Sequence, residues 1–203
     1  LTLTYVTAER QQPAPGDAAR QRLKEAGVAA FSERGFHGTT TRDIAATAGM
    51  SPAALYVHHA SKEELLFALC LEGHRRTLAL VEAAEATAQE PVGQLRAIVH
   101  AFVRYHAEEH TSARVVNYEL GALSPEHRAE VLAVRRGIEA AFRRPLERGV
   151  VAGVLVTASP AMAAVMLSSI GVDVARWYSD GGAWSPDELA DFYTDHAIRM
   201  FLP

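Results

Sequence analysis

The sequence predicts an all-α fold, with a small helix-turn-helix unit near its start and a larger helical body behind it. Three observations predict this. Apolar residues recur at three- and four-residue spacings along the chain, and no stretch alternates with the period of two that marks a strand. Helix-start signals recur at Ser51-Pro52, Ser61-Lys62, Ser124-Pro125, Ser159-Pro160 and Ser185-Pro186, each a capping hydroxyl before a residue suited to a first turn. Between Thr39 and Lys62 the chain reads TTTRDIAATAGMSPAALYVHHASK, two short helices about a glycine turn.

Residues 1–16 are polar and broken by Pro13, Pro15 and Gly16, and read as a flexible N-terminal arm with a trimmed start at Leu1. A first helix is expected over Asp17–Arg34, with Asp17 as N-cap, Leu23, Gly27 or Ala26, Ala30 and Phe31 along one side, and Gly35 at its end. Phe31 and Phe36 would buttress the helices that follow. Thr40 caps the next helix, whose apolar stripe is Ile44, Ala45 and Ala48. Gly49 suits the left-handed conformation that ends a helix. Ser51 and Pro52 restart the chain for a short helix to Val57.

Ser61 and Glu64 form a capping-box spacing. The helix they open runs to about Ala88, with Leu65, Leu66, Leu69, Leu80 and Val81 on its apolar side. Glu90-Pro91 breaks the pattern. A helix over 92–109 carries Leu95, Ile98, Val99, Phe102, Val103 and His106, and a short one is expected over 111–123. From Ser124 the residues Val131, Val134, Ile138, Ala141 and Phe142 keep a three-four stripe until Pro145, which is expected to kink or end that helix. Residues 149–156 then read as a connector. The segment 159–178 is apolar on most of its surface, so it needs cover on more than one side. After Gly181-Gly182, Ser185 opens a last helix with Leu189, Phe192, Tyr193, His196 and Met200. The total is about nine helices.

The 203-residue chain is 49% hydrophobic and 22% charged, an ordinary globular composition. No apolar run approaches the roughly 18 residues of a membrane span. One cysteine, Cys70, forms no internal disulfide and fits a reducing, cytoplasmic compartment. Net charge is −4, so the whole chain lacks the basic field of many nucleic-acid binders. Over residues 17–62, Arg20, Arg22, Lys24, Arg34, Arg42 and Lys62 face Asp17, Glu25, Glu33 and Asp43, a surplus of two positive charges.

A helix-turn-helix sets its second helix in the major groove of double-stranded DNA. Helix N-termini at Thr40, Ser51 and Lys62 would bring free N–H groups to phosphates. Thr41, Arg42 and Pro52-Ala53-Ala54 are expected on the DNA face. The small apolar residues there pack only on thymine methyls, which leaves base readout to Arg42 and to DNA shape.

The residues Thr39, Thr40, Ile44, Ala45, Ala48, Gly49, Ser51, Leu55, Tyr56, His58, Ser61, Lys62, Glu63 and Leu65 together resemble the DNA-binding segment of the TetR family of transcriptional repressors. The resemblance implies phosphate contacts from Tyr56, His58 and Lys62. It departs from the family at His59, where Phe is usual, and at Ala53 and Ala54, where Gly or a larger residue is frequent. Beyond Val92 only the helix pattern resembles the family. The implied division is a DNA-binding unit over 17–62 and a ligand-binding and dimerisation unit over 63–203. The implied activity is that of a homodimeric repressor on a palindromic operator, released by a small apolar or amphipathic effector.

Effector contacts are expected from Phe67, Phe102, Tyr105, His106, Tyr118, Glu119, Phe142, Met166, Arg176 and Trp177, aromatic or polar groups on the body helices. Arg176 to Gly182 with Ser185 to Leu189 resembles regulators of this family that answer acyl-coenzyme A thioesters. The surplus apolar surface of the last two helices points to a two-fold four-helix interface through Met162, Val165, Met166, Ile170, Leu189, Phe192, Tyr193, His196 and Met200.

No cofactor or metal is expected. His106 and His110 are four apart, but Ala107 stands where a zinc-protease helix has Glu. An enzyme on the same helical scaffold, binding a small molecule or metal, is the alternative. No Gly-rich phosphate loop or Gly-x-Ser-x-Gly turn supports it.

Overall fold

The computed structural model describes residues 15–203, so most of the expected N-terminal arm lies outside the described residues. Among these there are nine α-helices and no strand. They are α1 (Pro15–Gly38), α2 (Thr41–Thr47), α3 (Pro52–His58), α4 (Lys62–Glu85), α5 (Pro91–Glu108), α6 (His110–Tyr118), α7 (Pro125–Val151), α8 (Pro160–Trp177) and α9 (Pro186–Arg199). A single 3-10 turn, Leu120–Ala122, follows α6.

The caps fall where the hydroxyls predict them. Thr40 accepts from the Asp43 amide while Asp43 reaches back to the Thr40 amide, a reciprocal box. Ser51, Ser61, Ser124, Ser159 and Ser185 each accept from the amide three residues on. Gly35 sits at φ 68°, ψ 169°, a conformation that interrupts α1 before one further turn. The buried Thr39 hydroxyl locks that turn, 3.0 Å from the Ala30 carbonyl and 2.9 Å from that of Gly35.

Several expectations about helix ends are corrected. α1 starts at Pro15, which puts Asp17 in its first turn and not at the N-cap, and α6 ends at Tyr118, short of 123. α7 continues through Pro145 to Val151 instead of breaking there. Pro145 is buried with Ala141, Phe142, Leu146 and Gly149, so packing along that face outweighs the roughly 3 kcal/mol an internal proline costs. α4 stops at Glu85, three residues early, and the expected connector over 149–156 begins only after Val151.

Two clusters of buried side chains organise the molecule. In one, Leu23 and Phe31 of α1, Ile44 of α2 and Leu55 of α3 meet Leu65, Leu66 and Leu69 of α4. Val115 of α6, Leu120 of the 3-10 turn and Val131 of α7 complete it, so the small N-terminal unit shares its core with the body. The second cluster surrounds α5, with Leu95, Ile98, Phe102 and Val103 against Val81, Phe142, Leu146, Val174 and Ile198. α4 contributes to both, its first half to the head and its Val81 end to the body. No described helix is long and apolar enough to cross a membrane.

Candidate nucleic-acid interface and effector cavity

α3 is short and amphipathic in the simplest way: Leu55 is its one buried residue. That single anchor sets the rest of the helix outward. Ser51, Pro52, Ala53, Tyr56 and Val57 are exposed, Ala54 and His58 half-buried. Tyr56 is 54% exposed, and its hydroxyl lies 3.3 Å from Thr41 Oγ1, which joins α2 to α3 on the outer face. Arg42 is exposed one residue further along α2. The face is apolar at Pro52, Ala53 and Val57, and its hydrogen-bonding side chains are Thr41, Arg42, Ser51, Tyr56 and His58.

Lys62 departs from the expected free cation. Its Nζ donates to the carbonyls of Phe36 and Thr39, each at 2.6 Å, and stands 4.0 Å from the centre of the Phe36 ring. The ammonium therefore closes the carbonyl end of α1 against the start of α4. Desolvation lowers its pKa. His59, at the position where the resembling family has Phe, is buried at 5% exposure with Nε2 unpartnered, and burial, aided by the nearby Lys24 and Arg20, pushes its pKa down to about 4. A neutral imidazole thus packs as an apolar ring would.

In the body, a cleft of about 470 Å³ opens between α1, α4, α5 and α6. Gly73, Thr77, Tyr105 and Val116 are among the residues that line it. Lys24 and Arg76 stand among Glu25, Glu72, Glu108, Glu109 and Asp180 at its walls. Lys24 pairs with Glu72, and Arg76 lies 3.6 Å from Glu109 and over the Tyr105 ring, 5.6 Å from its centre. Behind it lies a small inner cavity of about 20 Å³, bounded by α4 to α8. Thr77, Val116 and Asn117 line both spaces and form the partition between them.

Of the effector residues expected from sequence, Tyr105 lines the cleft, and Phe102 and His106 line the inner cavity. The others lie elsewhere. Phe142 is wholly buried in the α5 core, where it meets Phe102 edge-on. Phe67 stacks on His127 at 3.8 Å on the outer side of α4. Tyr118, Met166 and Trp177 are exposed, Glu119 is half-buried near Gly35, and Arg176 is an exposed partner of Asp173. Sequence reasoning missed His74, Thr77, Arg135, Glu139 and Ser168, which line the inner cavity from α4, α7 and α8. A buried histidine four residues after Cys70 on an apolar face was the available signal.

His100, His106 and His110 do not converge. His100 faces Asp191 at 3.3 Å, His106 is turned inward, and His110 lies edge-on to Tyr178. Of the expected interface, Met162, Val165, Met166, Ile170, Phe192, His196 and Met200 are exposed and Tyr193 is half-buried. Leu189 is the exception: at 6% exposure it belongs to the core around α5.

With this geometry in place, residues 23–69 match the family described as bacterial regulatory proteins of the tetR family. Residues 88–201 match the tetracyclin repressor-like C-terminal domain. The chain belongs to the TetR family. The first match ends within α4 and the second begins just after it, so together they span the reading head and the body of this TetR-family chain. Those families consist of regulators of transcription rather than enzymes, which removes the enzyme alternative.

Among solved structures, a tetR-family bacterial regulatory protein from Rhodococcus RHA1 is 40% identical, covers 90% of this chain and 96% of its own, and superposes with a TM-score of 0.86. AibR in complex with isovaleryl coenzyme A and operator DNA shares the fold at a TM-score of 0.80, 22% identity and coverage of 91% and 98%. The transcriptional repressor KstR2 of Mycobacterium tuberculosis is 38% identical over 105 residues. That alignment covers 51% of this chain and 50% of KstR2, so the chain spans about half the length of this curated relative.

Proposed function

We propose that this TetR-family chain is a homodimeric, operator-binding repressor whose affinity for DNA falls when a small molecule enters the body. The observation that carries the reading is α3, held by Leu55 and turned outward with Pro52, Ala53 and Tyr56 exposed, beside Arg42 and Thr41 of α2. In this reading Arg42 reads base edges and Pro52, Ala53 and Ala54 pack on thymine methyls. Tyr56, His58, Thr40 and Ser51 lie toward the phosphates. Lys62 serves chiefly to brace α1 against α4, since its ammonium already holds two carbonyls.

The division proposed is a reading head over 17–62 and a sensing and pairing body over 63–203, with α4 common to both cores. Met162, Val165, Met166 and Ile170 on α8 with Phe192 and Met200 on α9 supply the apolar face for a two-fold mate. Such pairing would set two copies of α3 about 34–36 Å apart, one turn of DNA. The 470 Å³ cleft reaches from α1 of the head to α4–α6 of the body, so an effector held there touches both units. The isovaleryl coenzyme A held by AibR makes an acyl-coenzyme A thioester the first effector to add. The carboxylates at the cleft walls would keep its phosphates outside.

The test is a gel shift with DNA flanking the protein's own gene, repeated across salt concentrations. Arg42→Ala should weaken binding by about 1–3 kcal/mol and relax selectivity at one base position. Lys62→Ala should leave the salt dependence unchanged while lowering the unfolding midpoint. A salt slope reduced by about one would return Lys62 to the phosphate backbone. Absence of any shift with wild-type protein overturns the reading as a whole.

A further inference from the structure

Five side chains around the inner cavity turn their donors back onto their own helices. His74 Nδ1 is 2.8 Å from the Cys70 carbonyl, and His106 Nδ1 is 2.8 Å from that of Phe102. A carbonyl only accepts, so both nitrogens carry the proton and both Nε2 atoms keep a lone pair. Thr77 donates to the Gly73 carbonyl at 2.9 Å, Ser168 to that of Val165 at 3.0 Å, and Asn117 to that of Ala113 at 2.9 Å. What His74, His106, Thr77 and Ser168 offer the cavity is therefore a set of acceptors, while Asn117 keeps one N–H beside its amide oxygen. His74 is 2% exposed, and its buried Nε2 has no partner among the described residues.

An acceptor left dry at such a site costs about 1–3 kcal/mol, so the cavity favours a group that donates. Charge narrows the choice. Burial holds both imidazoles neutral, His106 down to about 4, and the nearby Arg135 pushes both in the same direction. Arg135 and Glu139 lie 3.8 Å apart on the cavity wall and pair with each other, so neither an ammonium nor a carboxylate finds an uncommitted counter-charge there. A carboxylate would also meet the imidazole lone pairs. Size narrows it further: about 20 Å³ admits a group of roughly one oxygen atom.

Resting on the effector reading above, we propose that the inner cavity is a specificity subsite that takes the terminal hydroxyl of an otherwise apolar molecule whose body lies in the cleft. The hydroxyl donates to His74 or His106 and accepts from Arg135. It enters past Thr77, Val116 and Asn117, the shared partition. Val116 and Asn117 belong to α6, and α6 packs directly on α1 of the head. Displacing the partition thus moves the helix that the head leans on.

The experiment uses the full chain with ¹⁵N-labelled histidine and three probes of equal length: 1-octanol, octanoate and octylamine. The expected result is that 1-octanol binds at least about tenfold more tightly than either ion. It also moves the Nε2 resonance of the accepting imidazole, His74 or His106, upfield, as acceptance of a hydrogen bond requires. His74→Phe should remove that preference and His74→Gln should restore part of it. The wild-type resonance shift needs no variant, so a folding defect in either leaves the test intact. Equal or tighter binding of octanoate or octylamine, or 1-octanol bound with both resonances unmoved, overturns the proposal and leaves the cavity to water alone. The gel shift is run first on the same protein without probe. Loss of DNA binding there would sink the regulator reading while the probe result remained readable.

Discussion

Thr40, Ser51 and Ser61 in the head and His74, Thr77, His106 and Ser168 in the body use side-chain hydrogen bonds in opposite directions. In the head each hydroxyl oxygen accepts from an amide three residues ahead, at the start of a helix. In the body each N–H or O–H donates to a carbonyl three or four residues behind, in a helix interior. The first arrangement satisfies orphan amides, so the head is finished by its caps and its outer face is left to shape and apolar contact. The second leaves lone pairs, and where several helices turn them to one point an acceptor-lined cavity results. Similar polar residues thus close one region and open the other, according to their place along the helix.

The largest effect should come from breaking the head at its single anchor. Leu55→Ala removes the one buried side chain of α3, a loss of about 3 kcal/mol for a fully buried leucine. Seven residues do not hold a helix unaided. Operator binding should vanish and the urea midpoint should fall, while the imidazole resonances of His74 and His106 stay in place. Joint collapse of both regions would show that they are one cooperative unit, as their shared α4 allows.

Acid should sharpen the comparison, because both regions bury neutral histidines. His59 in the head and His106 in the body are each pushed down to about 4, chiefly by burial. Unfolded, they titrate near 6.5. Between about 4 and 6.5 the unfolded chain holds more protons, so stability falls as pH drops through that window. The effect should be on the order of 1–3 kcal/mol for each. His59→Phe should flatten the head's share of the acid slope measured by urea midpoints from pH 7 to 4.5. An unaltered slope would mean that His59 is hydrated in the folded state.

The head was largely legible in the sequence because its determinants are local. Each cap is read from two residues three apart, and Gly35 and Gly49 mark turns that only a positive φ completes. The apolar stripes on α8 and α9 were legible for the same reason, save Leu189, whose burial depends on where α5 lies. The cavity was not, since it is made by side chains from five helices whose directions no spacing records. Aromatic type alone pointed to Phe142 and Trp177, of which one is core and the other surface. Pro145 misled because its local cost was weighed without the packing that offsets it.

The smallest expected effect lies on the seam between the two regions. Glu63, beside Lys62 in the first turn of α4, accepts from the Ser124 amide at 2.9 Å and from His127 Nδ1 at 2.9 Å, while the His127 ring stacks on Phe67. One carboxylate thus caps α7 of the body from the helix that carries the head. The hydrogen bond to Glu63 raises the His127 pKa, and Glu64 and Glu130 add to it. A raised pKa reverses the sense of the buried histidines: the pair's contribution is present below about 6.5 and is lost as pH climbs through the folded value. Both groups are about a quarter exposed, so the contribution should stay below about 1 kcal/mol. Glu63→Gln should bring the His127 titration midpoint, followed by NMR, back toward its ordinary value and remove the alkaline side of the stability profile while leaving the acid side alone. A midpoint that does not move would assign the shift to Glu64 and Glu130 and leave α4 joined to α7 by packing and by the pairs of Arg75 with Glu130 and of Arg144 and Arg148 with Glu85.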